Sequence, residues 1–207
     1  MHPNPAFHSK DHGKDIAFAR ARGFGMLAIS VDGPPLLSHV PFLLAEDGGT
    51  ADLHLVRSNP IARALTVPLT ARLAVTGADS YVSPDWYGVP DQVPTWNYVA
   101  VQLTGRLERL PETEMRAMLD RQSAAYEARL LPKTPWTTAK MTPEVLARLM
   151  RAIPPCRFHV EDIAATWKLG QNKPAAVRMA AADHAKGAGL GSETAALAAL
   201  MRAPPDL

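Results

Sequence analysis

Apolar and polar residues alternate over short stretches of the first half of the chain, which is the pattern of half-buried β-strands. Three such stretches are separated by the turn sequences DGPP and EDGG, and turns this tight join antiparallel neighbours. Three longer strand patterns follow, and the fourth strand of the chain has a possible break at Gly77. The six predicted strands cover residues 24–31, 36–45, 50–56, 71–83, 97–110 and 156–169.

Helical spacing of apolar residues occurs before, between and after these strands. Asn59 and Thr142 each precede a proline, and this pair of residues is typical of a helix N-cap followed by the first helical position. No repeating βαβ pattern supports a Rossmann fold, so the strand order favours a small antiparallel barrel with peripheral helices. The predicted helices cover residues 9–22, a short piece from 59, 112–130, 142–153, 175–186 and 192–203.

Composition narrows the class of protein. The chain has 207 residues, a formal charge of +2 and one cysteine, Cys156, so no intrachain disulfide forms. We find neither an apolar signal region at the start nor an apolar run of the ~20 residues that span a bilayer. These features predict a cytoplasmic protein without membrane contact, and the weak charge does not indicate nucleic acid. We predict no metal site, since His2, His8 and His12 fit a solvated terminus.

Two segments carry candidate binding chemistry in the first half. In SHVPF (residues 38–42) Pro41 interrupts a strand, which indicates a strand edge, a bulge or a bound group. In RSNP (residues 57–60) a basic side chain meets a helix N-terminus, which suits a phosphate. A simple N-cap with a surface arginine is the alternative.

Two further segments lie later in the chain. Five aromatic residues occur within 81–98, where they either cover a flat conjugated ligand or seal against a second subunit. The sequence TWKLGQNKP (residues 166–174) combines amide, ammonium and indole groups, and a solvent-exposed turn is its plainer interpretation. Together the four segments favour one ligand with an anion, a polyhydroxyl chain and a flat ring. FMN has all three.

In this order, SHVPFLL, RSNP, YVSPDWY, VPTWNYVAV and WKLGQNKP resemble the PaiB family of FMN-binding negative transcriptional regulators. The resemblance implies a mainly β fold with α, a six-stranded antiparallel split β-barrel related to pyridoxamine-phosphate-oxidase-like flavoproteins. It also implies a homodimer with FMN at the subunit interface. It covers residues 1–178 as one FMN-binding domain and leaves 179–207 as a C-terminal helical tail. Gly170 and Lys173 depart from the common family sequence WKLSQNR.

The predicted cofactor-binding residues fall into four groups. The phosphate is predicted to be bound by Arg57, Ser58 and Asn59, with Lys168 and Lys173 as helpers. The edge of the isoalloxazine is predicted to contact Ser38, His39, Val40 and Pro41. The walls of the ring site are predicted to be Trp96, Asn97 and Trp167, and the polar contacts are predicted to come from Gln171 and Asn172.

The sequence is compatible with several functions. The leading hypothesis is a PaiB-type regulator that acts as a flavin-binding homodimer. The first alternative is an FMN-dependent oxidoreductase using NAD(P)H or a small heterocycle, with His39 as the candidate acid or base. The second alternative is a DNA-binding regulator, although we identify no helix-turn-helix. The third is haem in the same groove, with His54 or His159 as an axial ligand.

Overall fold

Residues 2–206, which the computed structural model describes, form six strands in a closed antiparallel barrel. The strand order around the barrel is β1-β2-β3-β6-β5-β4. All six predicted strands are confirmed, and the fourth runs through Gly77 without a break. The strands are β1 (Phe24–Ile29), β2 (Leu36–Leu44), β3 (Thr50–His54), β4 (Leu69–Val82), β5 (Thr95–Arg109) and β6 (Pro155–Lys168).

Six α-helices accompany the strands within the described residues, each where the spacing predicts one. Asn59 caps α2 by accepting the Ile61 N–H, as predicted. Thr142 is the N-cap residue of α4 and Pro143 lies in its first turn, as predicted, although the Thr142 side chain makes no capping hydrogen bond. Pro143 presets the backbone of that first turn. The helices are α1 (His12–Arg22), α2 (Pro60–Ala64), α3 (Met115–Glu127), α4 (Pro143–Met150), α5 (Ala175–Gly187) and α6 (Thr194–Arg202).

The first three strands form the predicted meander. In β1 and β2, Ile29 lies opposite Leu36 and Phe24 lies opposite Pro41. Pairing between β2 and β3 begins only at Phe42, opposite Leu53. Pro41 therefore lies one residue beyond that ladder, where its missing N–H leaves no strand partner unpaired.

The chain folds as two compact units. The first unit comprises Ile16–Ala74 and Leu103–Asp162, and the second comprises Val75–Gln102, Ile163–Leu207 and Met1–Asp15, as far as these are described. Each unit has a buried apolar core of its own. The division predicted at residue 178 stays a prediction. Fully buried core residues include Leu27, Phe42, Leu53 and Phe158 in the first unit and Leu169, Leu197 and Met201 in the second.

Alternation along β2 shows how the first unit presents its surface. Val40, Phe42 and Leu44 are buried, whereas His39 and Pro41 are exposed. Burial of one such apolar side chain contributes about 1.5–3 kcal/mol, so the inward set fixes the register. The outward set is thereby held on a rigid strand.

No helix among the described residues has the length and apolar character needed to span a bilayer.

Candidate functional site

An open groove of about 760 Å³ in the first unit contains three arginines. Arg57 follows β3, Arg63 lies on α2 and Arg109 is the last residue of β5. Their guanidinium groups share the groove with one carboxylate, Glu112, which leaves two net positive charges. We call this the arginine groove. Its remaining lining residues are Ala62, Leu65, Thr66, Leu110, Pro111 and Pro154.

Glu112 pairs with two of the three arginines. Its Oε1 accepts from Arg57 Nη2 at 2.6 Å and from Arg109 Nη2 at 3.1 Å. These two guanidinium groups, Arg57 foremost, hold the pKa of Glu112 below its ordinary value. Arg57 also donates through Nε to the Arg151 carbonyl. Among residues 2–206, Arg63 makes no ion pair and no side-chain hydrogen bond, so its donors face solvent.

Ser38 and Asn59 join two of the predicted segments. The Asn59 amide donates to Ser38 Oγ at 3.0 Å while its carbonyl oxygen accepts from Ile61 N at 2.9 Å. The side chain thus fixes strand β2 to the turn at 57–60. Since α2 has only five residues and Asn59 already occupies one of its free N–H groups, the guanidinium groups are the main anion-binding groups here. Ser58 is exposed in the same turn.

The outward face of β2 adds an apolar and aromatic surface. The His39 ring stacks against Phe24 with centroids 6.3 Å apart and planes 22° apart. Leu37 and Phe24 are 57% and 55% exposed, which is high for large apolar side chains. Val40 points inward and is buried, so its side chain is not open to an external ligand.

In the second unit, Trp167 and Lys168 make internal contacts. The Trp167 indole is buried and donates to Asp15 Oδ1 at 2.9 Å. The Lys168 ammonium donates to Thr95 Oγ1 at 2.6 Å and lies 5.9 Å from the centre of the Phe7 ring. Burial lowers the pKa of Lys168.

The turn that follows β6 is closed by its own amides. Gln171 accepts from Leu169 N at 2.8 Å and donates to the carbonyl oxygens of Trp167 and Ala6, at 2.5 and 3.2 Å. Gly170 has a φ of 77°, a left-handed conformation that glycine adopts at little cost. This conformation explains why a glycine suits position 170. Asn172 is exposed.

Lys173 completes this set of contacts. Its ammonium donates to Gln92 Oε1 and lies 4.4 Å from the centre of the Tyr87 ring. A cation over an aromatic face is worth about 0.5–1 kcal/mol at partly exposed sites. Tyr87 itself is buried, and burial raises the pKa of its hydroxyl.

The aromatic segment at 81–98 packs against helices α5 and α6. Trp86 stacks on His184 with ring centres 5.9 Å apart. Asn97 is buried, and its amide lies 3.6 Å from Met201 Sδ. Trp96 is 41% exposed and donates to Asp79 Oδ1 at 3.2 Å. Both tryptophans and Asn97 therefore have partners within the second unit.

The histidines considered as axial ligands also have partners. His54 Nδ1 lies 3.2 Å from Gln122 Oε1, and burial lowers the pKa of His54. His159 Nε2 lies 2.6 Å from Glu108 Oε1. Across residues 2–206 we find no group of three or more histidine, cysteine or acidic residues arranged to hold a metal ion.

The structure thus brings Ser38 to Asn59 and places Arg57 in the arginine groove. Arg63, Arg109 and Glu112 were not predicted from the sequence. Arg63 had a local signal, because it stands six residues after Arg57 in RSNPIAR. Arg109 and Glu112 lie more than fifty residues after Arg57, and no pattern in the sequence connects them to it.

Fold comparisons define the class of protein first. The FAD and haem binding protein from Mycobacterium smegmatis matches with a TM-score of 0.56 and 17% identity, over 78% of this chain and 73% of that one. The flavocytochrome Anf3 from Azotobacter vinelandii matches with a TM-score of 0.56 and 14% identity, over 81% of this chain and 72% of that one. The fold is the split β-barrel of such proteins.

Sequence comparisons then give the family. A family model described as "Putative FMN-binding domain" matches residues 1–162. The chain is also 29% identical over 158 residues to the "Protease synthase and sporulation protein PAI 2" of Bacillus subtilis, covering 75% of each chain. The chain belongs to this FMN-binding family, and the predicted resemblance to PaiB is confirmed. FMN is the cofactor of the family.

The arginine groove suits the phosphate end of that cofactor. A phosphate monoester carries close to two negative charges at neutral pH, and the groove has two net positive charges. Guanidinium forks bind phosphate oxygens in pairs, and the volume lies within the range of ligand sites, roughly 300–1,000 Å³. The residues present therefore fit the group.

Proposed function

We propose that the protein binds FMN with the phosphate in the arginine groove. Arg63 meets the phosphate first, since its donors have no partner within residues 2–206, and Arg57 and Arg109 add charge-assisted hydrogen bonds. The side chains of Leu65 and Leu110 provide apolar walls of the groove. The observation that carries this proposal is a groove in which three guanidinium groups face a single carboxylate.

When bound, FMN supplies the electron-transfer chemistry of its ring. The chain's own contribution is to hold and orient the cofactor. Ser38 is fixed by Asn59, and the exposed positions 39 and 41 lie on the same rigid strand, so we propose that this edge of β2 contacts the ring. The cofactor roles predicted for Trp96, Asn97, Trp167, Lys168, Gln171, Asn172 and Lys173 stay predictions.

Titration of flavin fluorescence tests the proposal. Arg57→Ala should weaken FMN binding by about 10- to 100-fold, which corresponds to loss of a charged hydrogen bond worth 1.5–3 kcal/mol. Riboflavin, which lacks the phosphate, should bind wild type and variant alike. Arg148→Ala is the matched control, because Arg148 is equally cationic, exposed and outside the groove. Equal FMN affinity for Arg57→Ala and wild type would exclude the groove.

We further propose that the protein is a homodimer. Phe24 and Leu37 of the β1–β2 hairpin each expose more than half of their surface, and large exposed apolar side chains on one element are typical of interfaces. Leu37→Glu should then shift the mass measured by light scattering toward that of one chain. Leu149→Glu, at a half-exposed leucine of α4, should leave the mass unchanged. A single-chain mass for the wild type would contradict the dimer.

A regulatory role would act through the bound flavin or a partner protein. The formal charge of +2 is small for a DNA-binding protein, in which basic residues neutralise several phosphates. We therefore expect no shift of promoter DNA at low salt, and salt-dependent binding would contradict this. Anaerobic reduction of the bound flavin by NADPH tests the oxidoreductase alternative, since a pure binding protein leaves the flavin oxidised.

A further inference from the structure

Glu112 occupies the donors that the cofactor phosphate needs. One oxygen of its carboxylate accepts from both Arg57 Nη2 and Arg109 Nη2. Arg57 uses its Nε for the Arg151 carbonyl as well, so two of its donor groups are already engaged. Of the three arginines in the groove, only Arg63 presents all of its donors to a ligand.

The ion pairs that hold Glu112 are weak enough to exchange. The Glu112 side chain is 58% exposed, and its partners Arg57 and Arg109 are 40% and 39% exposed. Exposed pairs of this kind contribute only about 0–1 kcal/mol, because water and salt screen them. A phosphate has more charge and more acceptor oxygens than a carboxylate, so it competes successfully for the same guanidinium groups.

We propose that Glu112 is a built-in competitor of the cofactor phosphate, which neutralises Arg57 and Arg109 in the unloaded protein and yields them when FMN binds. This proposal depends on the phosphate site proposed above. Displacing Glu112 from the two arginines then costs free energy only when the bound flavin carries a phosphate. Glu112 therefore sets how strongly the protein distinguishes FMN from riboflavin, and it keeps FMN exchangeable.

Glu112→Gln tests the proposal, because glutamine keeps the shape of the side chain and removes its charge. We expect FMN to bind Glu112→Gln about 2- to 5-fold more tightly than wild type at low ionic strength, the range that an exposed ion pair of up to about 1 kcal/mol gives. Riboflavin affinity should not change. The gain should shrink in 0.5 M NaCl, where the screening length falls to a few ångströms.

Glu114→Gln is the matched control. Glu114 lies in the same short 3-10 turn and is exposed, but among the described residues it forms no ion pair with the groove arginines. The change of net charge is identical, so a general electrostatic effect would move both variants equally. Equal tightening in the two variants would therefore overturn the proposal.

Failure of this proposal differs from failure of the phosphate site. If Glu112→Gln binds FMN as well as or more weakly than wild type, while Arg57→Ala loses affinity, the phosphate site stands and Glu112 is not a competitor. If Glu112→Gln tightens FMN and riboflavin alike, the competition with phosphate is likewise refuted. If Arg57→Ala and Glu112→Gln both leave FMN binding unchanged, the phosphate site itself is wrong.

Discussion

The arginine groove and the turn at residues 166–174 contain similar polar groups but use them differently. In the groove, the exposed Arg57 and Arg109 share one carboxylate, and Arg63 has no side-chain partner among the described residues. In the turn, Trp167, Lys168, Gln171 and Lys173 each bond to a residue of their own unit. A polar group held by a buried partner stabilises the fold, whereas one that is unpaired or only in an exposed ion pair is available to a ligand.

Substitution of Trp167 should give the largest effect. We expect this effect to be on stability, because Trp167 has an internal partner. Its side chain is 6% exposed and bonded to Asp15, so Trp167→Ala should lower the free energy of unfolding by about 3–5 kcal/mol. Trp96→Ala, at a tryptophan that is 41% exposed, should cost clearly less. Urea denaturation followed by circular dichroism measures both. Equal losses would remove the distinction between the two tryptophans.

In contrast to Trp167, substitution of Arg63 should affect FMN binding and leave stability nearly unchanged. Arg63→Ala should weaken FMN binding by about 10- to 100-fold, since a charged donor to the phosphate is lost. The free energy of unfolding should change by less than about 0.5 kcal/mol, as expected for an exposed, unpaired side chain. Arg63→Lys should fall between the two proteins, because lysine keeps the charge without the planar fork. Fluorescence titration and urea denaturation together check this, and wild-type FMN affinity in Arg63→Ala would contradict it.

Substitution of Gly170 in the turn should have a smaller effect on stability than substitution of Trp167. Gly170→Ala places a side chain at a φ of 77° and should cost about 1–2 kcal/mol of stability. Space is not the reason, because the nearest atom to an added Cβ, Arg178 Cγ, is 3.5 Å away. Gly187→Ala, at the end of α5, should be neutral or slightly stabilising. Thermal unfolding of the two variants compares them, and similar melting temperatures would contradict the conformational explanation.

Asp15 gives the smallest expected effect, a change in pH dependence. Burial raises the pKa of Asp15, and His12 Nδ1 lies 3.9 Å from its Oδ2. Since the folded pKa is raised, the stabilising contribution is complete below the unfolded pKa of about 4 and is lost as pH rises through the folded pKa. Asp15→Asn, which keeps an acceptor for the Trp167 indole, should lack this loss.

Asp162→Asn, at an exposed position of β6, is the control for that experiment. Its stability should follow pH as the wild type does. Chemical denaturation at several pH values between about 4 and 8 measures all three proteins. A wild-type profile in Asp15→Asn would show that the buried carboxyl contributes no pH dependence.

Local sequence patterns were sufficient for the elements of the fold. Alternation over residues such as those of β2, and prolines after Asn59 and Thr142, predicted six strands and six helices close to their observed bounds. The resemblance to the FMN-binding family predicted the barrel and the cofactor, and both are confirmed. Part of the site was also local, since Arg57 and Arg63 stand in one short segment.

What the sequence determined by itself is the set of strands, helices and family motifs, because these depend on residues close together along the chain. The tertiary structure alone decided which charged groups meet. Arg109 and Glu112 reach Arg57 only because the end of β5 lies beside the turn after β3, and Trp167 finds Asp15 across 152 residues. Whether a polar side chain has an internal partner depends on such distant contacts, and no local pattern records them.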